Sequence, residues 1–179
     1  MAGEGTNFED VRTRASALSG TAIFLFVAPG TVAGYIPWLI GRWHLHPSFL
    51  GFAAIRVIGG LLIAAGIVIL LETFLRFALQ GIGTPAPIFP TRHLVVAGSY
   101  RYVRNPMYVA VVSLILGQGL IFGDMRILVY GLCVWSLTHL FVVIYEEPTS
   151  RRSFPEDYPV FTANVPRWIP RLTPWHEGT

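Results

Sequence analysis

Four apolar stretches alternate with polar, proline-rich or arginine-bearing segments along the 179 residues of the chain. A helix that crosses a bilayer needs about 20 mostly apolar residues, and each stretch is near that length. The first runs from about Leu18 to Ile40 and carries Pro29, Gly30, Gly34 and Pro37. Those breakers predict a kinked or broken span whose freed carbonyls are satisfied by neighbouring helices. The second, from about Gly51 to Gln80, holds no proline. At about 1.5 Å per residue it is longer than the hydrocarbon requires, so its end is expected in water. Glu72 and Arg76 lie near that end, spaced i,i+4 as a helix-surface pair. The third and fourth stretches, Met107 to Phe122 and about Met125 to Tyr145, are separated only by Gly123 and Asp124. So short a connection makes them an antiparallel helical hairpin.

The segments between are irregular. Residues 81–97 include Pro85, Pro87 and Pro90, and the tail from Glu146 to Thr179 has prolines at 148, 155, 159, 166, 170 and 174. Such a tail is not expected to form a long helix, only a turn or two around Phe154 to Asn164. Composition supports the membrane reading: 53% of residues are hydrophobic and 13% are charged, where a soluble domain carries about a quarter charged. All 13 basic residues are arginine. With the N-terminus placed in the cytoplasm, ten of them face inside and only Arg42, Arg56 and Arg126 fall towards the outside. The expected fold is therefore an all-α, multi-pass transmembrane bundle of about four spans, one domain over residues 1–179, with both termini cytoplasmic. A bacterial or archaeal inner membrane suits this topology. The arginines are dispersed among apolar spans rather than gathered on one polar face, which argues against nucleic acid as a partner. Cys133 is the only cysteine, so the chain forms no internal disulfide. The first apolar run is too long, and too rich in proline, for a cleavable signal peptide.

Two polar clusters stand apart from this pattern. GSYRYVRNPMY, Gly98 to Tyr108, sets Tyr100, Arg101, Tyr102 and Arg104 just before an Asn-Pro break that opens the third stretch. Glu146 and Glu147, followed by Pro148, Arg151 and Arg152, close the fourth. A helical hairpin returns both clusters to one level on the cytoplasmic side, where the chemistry is expected. Acidic groups at a helix C-terminus oppose the helix dipole, which favours a binding role for at least one glutamate, towards hydroxyls or an ammonium group. Arg101 and Arg104 are either anchors for anionic lipid or a guanidinium fork for a carboxylate. Tyr100, Tyr102 and Tyr108 suit an interfacial aromatic belt, Tyr102 above all. His44 and His46 lack a third metal ligand, His93 is a candidate ligand contact in the loop, and His139 lies inside the last span as an interhelix hydrogen bond or part of a site. The chain contains no Walker loop, Rossmann glycine pattern, CxxC pair or GxSxG elbow.

LVVAGSYRYVRNPMY, a helical hairpin, and then EEPTSRRSFPEDYPVFTANVPRWIPR resembles the integral-membrane methyltransferases related to isoprenylcysteine carboxyl methyltransferase. Bacterial phospholipid methyltransferase-like proteins and the C-terminal part of sterol reductases share this pattern, which here covers about Leu94 to Pro170. The resemblance implies an S-adenosylmethionine pocket built from the pre-hairpin loop, the end of the last long helix and the tail, with S-adenosylhomocysteine as product and no metal. Carried over by position, it implies cofactor contacts from His93, Leu94, Val95, Gly98, Tyr100, Arg104, Asn105, Pro106, Tyr108, Glu146, Glu147 and Tyr158. It implies catalytic roles for Arg104, Glu147 and Arg167. Asn105 stands where the eukaryotic enzymes have histidine, Pro155 replaces a common glycine after Phe154, and Pro159-Val160-Phe161 alters the tail. The implied acceptor is lipid-like or prenylated and lies among membrane lipids; no oligomeric state follows. Carboxyl O-methylation of an isoprenylcysteine-like acid is the first expectation. The alternatives are N-methylation of a phospholipid amine, a nicotinamide-dependent reductase, and a membrane scaffold without chemistry.

Overall fold

The computed structural model describes residues 27–80 and 96–176, and among these no residue is in a strand. Residues 27–41 form one helical stretch whose middle is a π-helical turn, Thr31–Tyr35, and whose end is helix α1, Ile36–Gly41. Helix α2 spans Ala54–Gln80, α3 Pro106–Phe122 and α4 Met125–Phe141. A second π-turn, Val142–Glu146, joins α4 without a break to α5, Glu147–Ser153, and α6 follows at Asp157–Asn164. The first expected span begins outside the described residues, as does most of the proline-rich loop after α2.

Helices α2 and α3 make the largest interface. Glycine brings their backbones together: a Cβ at Gly59 would sit 2.7 Å from the carbonyl oxygen of Gly117, and a Cβ at Gly117 2.7 Å from that of Gly59. Gly66 meets the carbonyl of Ala110 in the same way one heptad along. Between helices in lipid there is little hydrophobic driving force, so close contact of small residues supplies the packing. Ala33, Leu70, Phe74, Ala110, Val111, Ile115 and Ile127 form the core where the helices meet.

Ala54–Arg76 and Met125–Ser153 are long and apolar enough to cross a membrane, and only 17% of the most apolar window of each is buried. The core helix of a soluble domain would be mostly covered. Here Leu61, Val68 and Leu75 on α2, and Leu132, Leu137 and Leu140 on α4, are all more than half exposed. Such faces suit lipid. Helix α3 is apolar but has only 17 residues.

The hairpin turn forms as the two-residue connection predicts. Gly123 adopts φ +66°, and the Asp124 carboxylate accepts from the backbone N–H of Arg126 at 2.9 Å and from its guanidinium at 3.0 and 2.8 Å. These bonds to Arg126 hold the Asp124 carboxyl below its ordinary range although it is buried.

The fourth helix departs from expectation. It does not stop at Tyr145 but continues to Ser153, because the backbone widens into the π-turn two residues ahead of Pro148. A proline inside a helix removes one N–H and crowds the carbonyl four residues back, and a π-turn makes room for it. The same arrangement precedes Pro37, where the proline leaves the carbonyls of Ala33 and Val32 without an N–H from position 37. Gln118 Nε2 of α3 donates to the Ala33 carbonyl at 2.6 Å, and Tyr130 Oη of α4 donates to that of Val32 at 2.9 Å. The freed carbonyls are thus satisfied by neighbouring helices, as the sequence requires. Gln118→Leu and Tyr130→Phe are each expected to cost about 1–2 kcal/mol, the penalty for a buried carbonyl left unpaired. Thermal unfolding in detergent measures the loss, which should shrink in a Pro37→Ala background, where an N–H returns.

Candidate functional site at the open end of the hairpin

The end of the bundle away from Gly123 gathers the two polar clusters. Pro106 is buried at the first position of α3, and the preceding loop, Gly98 to Asn105, lies against the tail. Backbone bonds bind loop and tail together: Arg104 N–H donates to the Pro166 carbonyl at 2.9 Å, Arg171 N–H to Tyr102 at 3.0 Å, and Trp175 N–H to Arg101 at 3.0 Å. Asn105 Nδ2 adds a bond to the Arg167 carbonyl at 3.2 Å. Asn105 is therefore a clasp between loop and tail. Behind it, Tyr158, Phe161, Val165 and Trp175 form a small separate core.

Glu147 is the centre of charge. Arg167 grips it with both faces of its fork, Nε to Oε1 at 2.6 Å and Nη2 to Oε2 at 2.9 Å. Arg104 Nη1 approaches Oε1 at 3.2 Å. This bidentate, charge-assisted geometry is the strong form of an arginine–carboxylate pair, and it raises the Arg167 pKa further. One carboxylate thereby ties α5 to both the loop and the tail. Tyr158 is hydrogen-bonded to Arg104, while burial first and the Glu147 charge second push its phenol upward.

Glu146 faces a different group. Tyr108 Oη donates to its Oε1 at 2.6 Å. Tyr100 lies near both Glu146 and Glu72; loss of water around its ring, then those two charges, push its phenol well above the ordinary value. It stays a protonated donor at neutral pH. Glu72 accepts from Ser99 Oγ at 2.6 Å and is paired with Arg76. Gly98, at φ +54°, passes so close that a Cβ there would overlap the Glu72 and Arg76 side chains.

The chain thus brings Gly98, Tyr100, Tyr108 and Glu146 to one side and Arg104, Asn105, Pro106, Glu147, Tyr158 and Arg167 to the other. His93, Leu94 and Val95 lie outside the described residues. Ser99 and Glu72 also join the site; from the sequence Glu72 reads only as a helix-surface partner of Arg76, and an acidic residue near the end of an otherwise apolar span is the signal for more. The glutamates do not sit at a helix C-terminus and do not oppose its dipole, because the helix runs on: Glu147 is in the first turn of α5, and Arg151 and Arg152 are in its last. His139 accepts from Trp168 Nε1 of the tail at 3.0 Å, so it bonds to the tail rather than to another span.

The donor set suits a nucleoside-type cofactor with an amino-acid moiety. Carboxylates receive hydroxyl and ammonium groups, and guanidinium groups receive a carboxylate. Arg101 Nε and Arg104 Nε are buried with no hydrogen-bond partner, which leaves donors here that a ligand would satisfy. An open hollow lined by His46, Ser48, Gly123 and Asp124 lies at the opposite end, at the hairpin turn. Its one buried carboxylate, Asp124, is already engaged by Arg126, so the chemistry points to the open end.

Neither the curated proteins nor the solved structures give a match to the chain. The model of the phospholipid methyltransferase family matches residues 54–157, more than half of the sequence, from the start of α2 through α5 to the first residue of α6. With that match and with helices able to cross a bilayer, the chain belongs to the phospholipid methyltransferase family of membrane proteins.

Proposed function

We propose that this protein uses S-adenosylmethionine to methylate the amine of a membrane-embedded, lipid-like acceptor at the open end of the hairpin. We further propose four spans in a single domain, with the site and both termini in the cytoplasm. The observation that carries the choice of acceptor is the engagement of Arg104 and Arg167 on Glu147. Both guanidinium groups are turned to Glu147, with the Nε of Arg104 the donor left over, whereas Glu146, bonded to the neutral Tyr108 hydroxyl, can attract a cation. The family's own description, phospholipid methyltransferase, agrees.

Bound S-adenosylmethionine supplies an electrophilic methyl on a sulfonium, whose departure as a thioether needs no proton. An acceptor ammonium cannot attack until it loses a proton, so a base is required. Glu146 is that base, and Tyr108, bonded to one of its oxygens, holds the carboxylate in place. Tyr100 remains a donor beside it. Glu147, Arg104 and Arg167 are positioning residues that keep loop, helix and tail in register and hold water out. Alignment and exclusion of water together supply much of the barrier lowering in such a transfer.

The unpartnered Nε atoms of Arg101 and Arg104 favour a second reading, in which an acidic acceptor is methylated on its carboxylate and no base is needed. Calorimetric titration of the detergent-purified protein with S-adenosylhomocysteine, with NADPH in parallel, tests the cofactor: saturable binding of the former alone is expected. Binding of NADPH alone, or of neither by folded protein, would overturn the proposal. Glu146→Gln then separates the acceptors. It should slow transfer to an amine on the order of 10²-fold, the worth of a positioned base, and leave transfer to a carboxylate unchanged.

A further inference from the structure

The tail does not simply leave the helix end and enter water. Trp168 reaches back along α4: its indole N–H bonds His139 Nδ1 at 3.0 Å, and its ring lies 5.9 Å from that of His139 and 6.4 Å from that of Trp135. His139 is eight residues before Glu147, about 12 Å along the helix axis at about 1.5 Å per residue. At this level α4 exposes Leu132, Leu137 and Leu140, all part of its bilayer-crossing run. Beyond Trp168, on either side of Pro170 and Arg171, Ile169 is 79% and Leu172 98% exposed. Arginines stand before and between them. Arg167 is held by Glu147, Arg171 Nη1 donates to the Asn164 carbonyl at 2.8 Å, and Arg151 and Arg152 stand exposed at the end of α5.

From this placement we propose that residues 168–172 form a re-entrant anchor that dips below the headgroups of the leaflet at the site end. Its partner is the acyl-chain region of that leaflet. Ile169 and Leu172 lie among lipid tails, Trp168 takes the interfacial position its amphipathic ring prefers, and Arg151 and Arg152 meet anionic headgroups above. The apolar surface is continuous with the lipid face of α4, and the charge is of the sign an anionic leaflet attracts. Apolar surface this exposed on a water-facing tail would be an aggregation liability; within the leaflet it is an anchor. This proposal does not rest on the methyl-transfer reading.

The test is site-directed spin labelling of the full chain in liposomes containing anionic lipid, in a Cys133→Ser background. Labels go at Ile169→Cys and Leu172→Cys, with Leu140→Cys as the lipid reference and exposed Ala163→Cys on α6 as the water reference. Collision with oxygen and with a water-soluble nickel chelate is measured at each. Labels at 169 and 172 should match position 140, with high oxygen and several-fold lower nickel access than position 163. Nickel access equal to that of position 163 would overturn the anchor. Protection from both reagents, with broadened spectra, would overturn it too, in favour of a second protein copy covering the tail.

Discussion

Glu147→Ala is expected to give the largest functional loss of any single change in this chain, on the order of 10²-fold or more in methyl transfer, the cost of a displaced reacting geometry. The carboxylate is the common partner of Arg104 and Arg167. Its removal leaves two guanidinium groups facing one another, 13% and 31% exposed, with no counter-charge between them. Breaking a well-buried pair in this way costs about 3–5 kcal/mol. Water reaches Arg167, so the lower end of that range applies. The tail should detach from the loop before the bundle melts, because its remaining polar attachments are a few backbone bonds, the Asn105 clasp and the Trp168–His139 bond. Limited proteolysis and thermal unfolding, run beside the transfer assay, should show early cleavage between residues 164 and 176 with the helices intact. Glu147→Gln, which keeps one acceptor oxygen, should fall between wild type and alanine. A Glu147→Ala protein with a protected tail and normal turnover would remove the role assigned to the clamp.

Gly117→Leu should have the largest effect on folding. A side chain at position 117 points at the Gly59 carbonyl and at Ile63, both 2.7 Å from where its Cβ would sit and so closer than ordinary contact allows. Backbone cannot move aside as a flexible side chain can, so α2 and α3 must separate along the largest interface of the molecule. Overpacking of a core costs about 1–3 kcal/mol where neighbours can shift; here the neighbour is main chain, and the cost should exceed that range. Loss of a monodisperse peak in detergent gel filtration is the expected result. Gly60→Leu, next to Gly59 on α2 but on an open face, should be tolerated and so controls for the change in residue type.

Much of the fold is legible in the sequence where the signal is long and apolar. Hydrophobic length locates α2, α3 and α4, and Gly123-Asp124 sets the hairpin, because two residues leave no other route. The proline-rich tail hides more. Pro148 reads as a helix end when proline is given its ordinary meaning, yet the backbone widens ahead of it and carries on. At the site, the motif residues could be named, but not their partners. That Arg104 and Arg167 turn to Glu147, rather than outward to a ligand or lipid, depends on the tail lying across the loop, and no local periodicity encodes that crossing. Glu72 was legible only as half of an i,i+4 pair with Arg76; its second bond, to Ser99, joins residues 27 positions apart.

The widened turn before Pro148 also sets rotational phase. A π-turn accommodates one residue more than an α-turn, and each helical residue advances about 100° around the axis. Counting from Met125 at a regular 3.6 residues per turn would therefore aim Glu147 about 100° from the direction it takes. The extra residue in Val142–Glu146 re-indexes the helix, so that one face of α4 meets lipid while α5 presents Glu147 to both arginines.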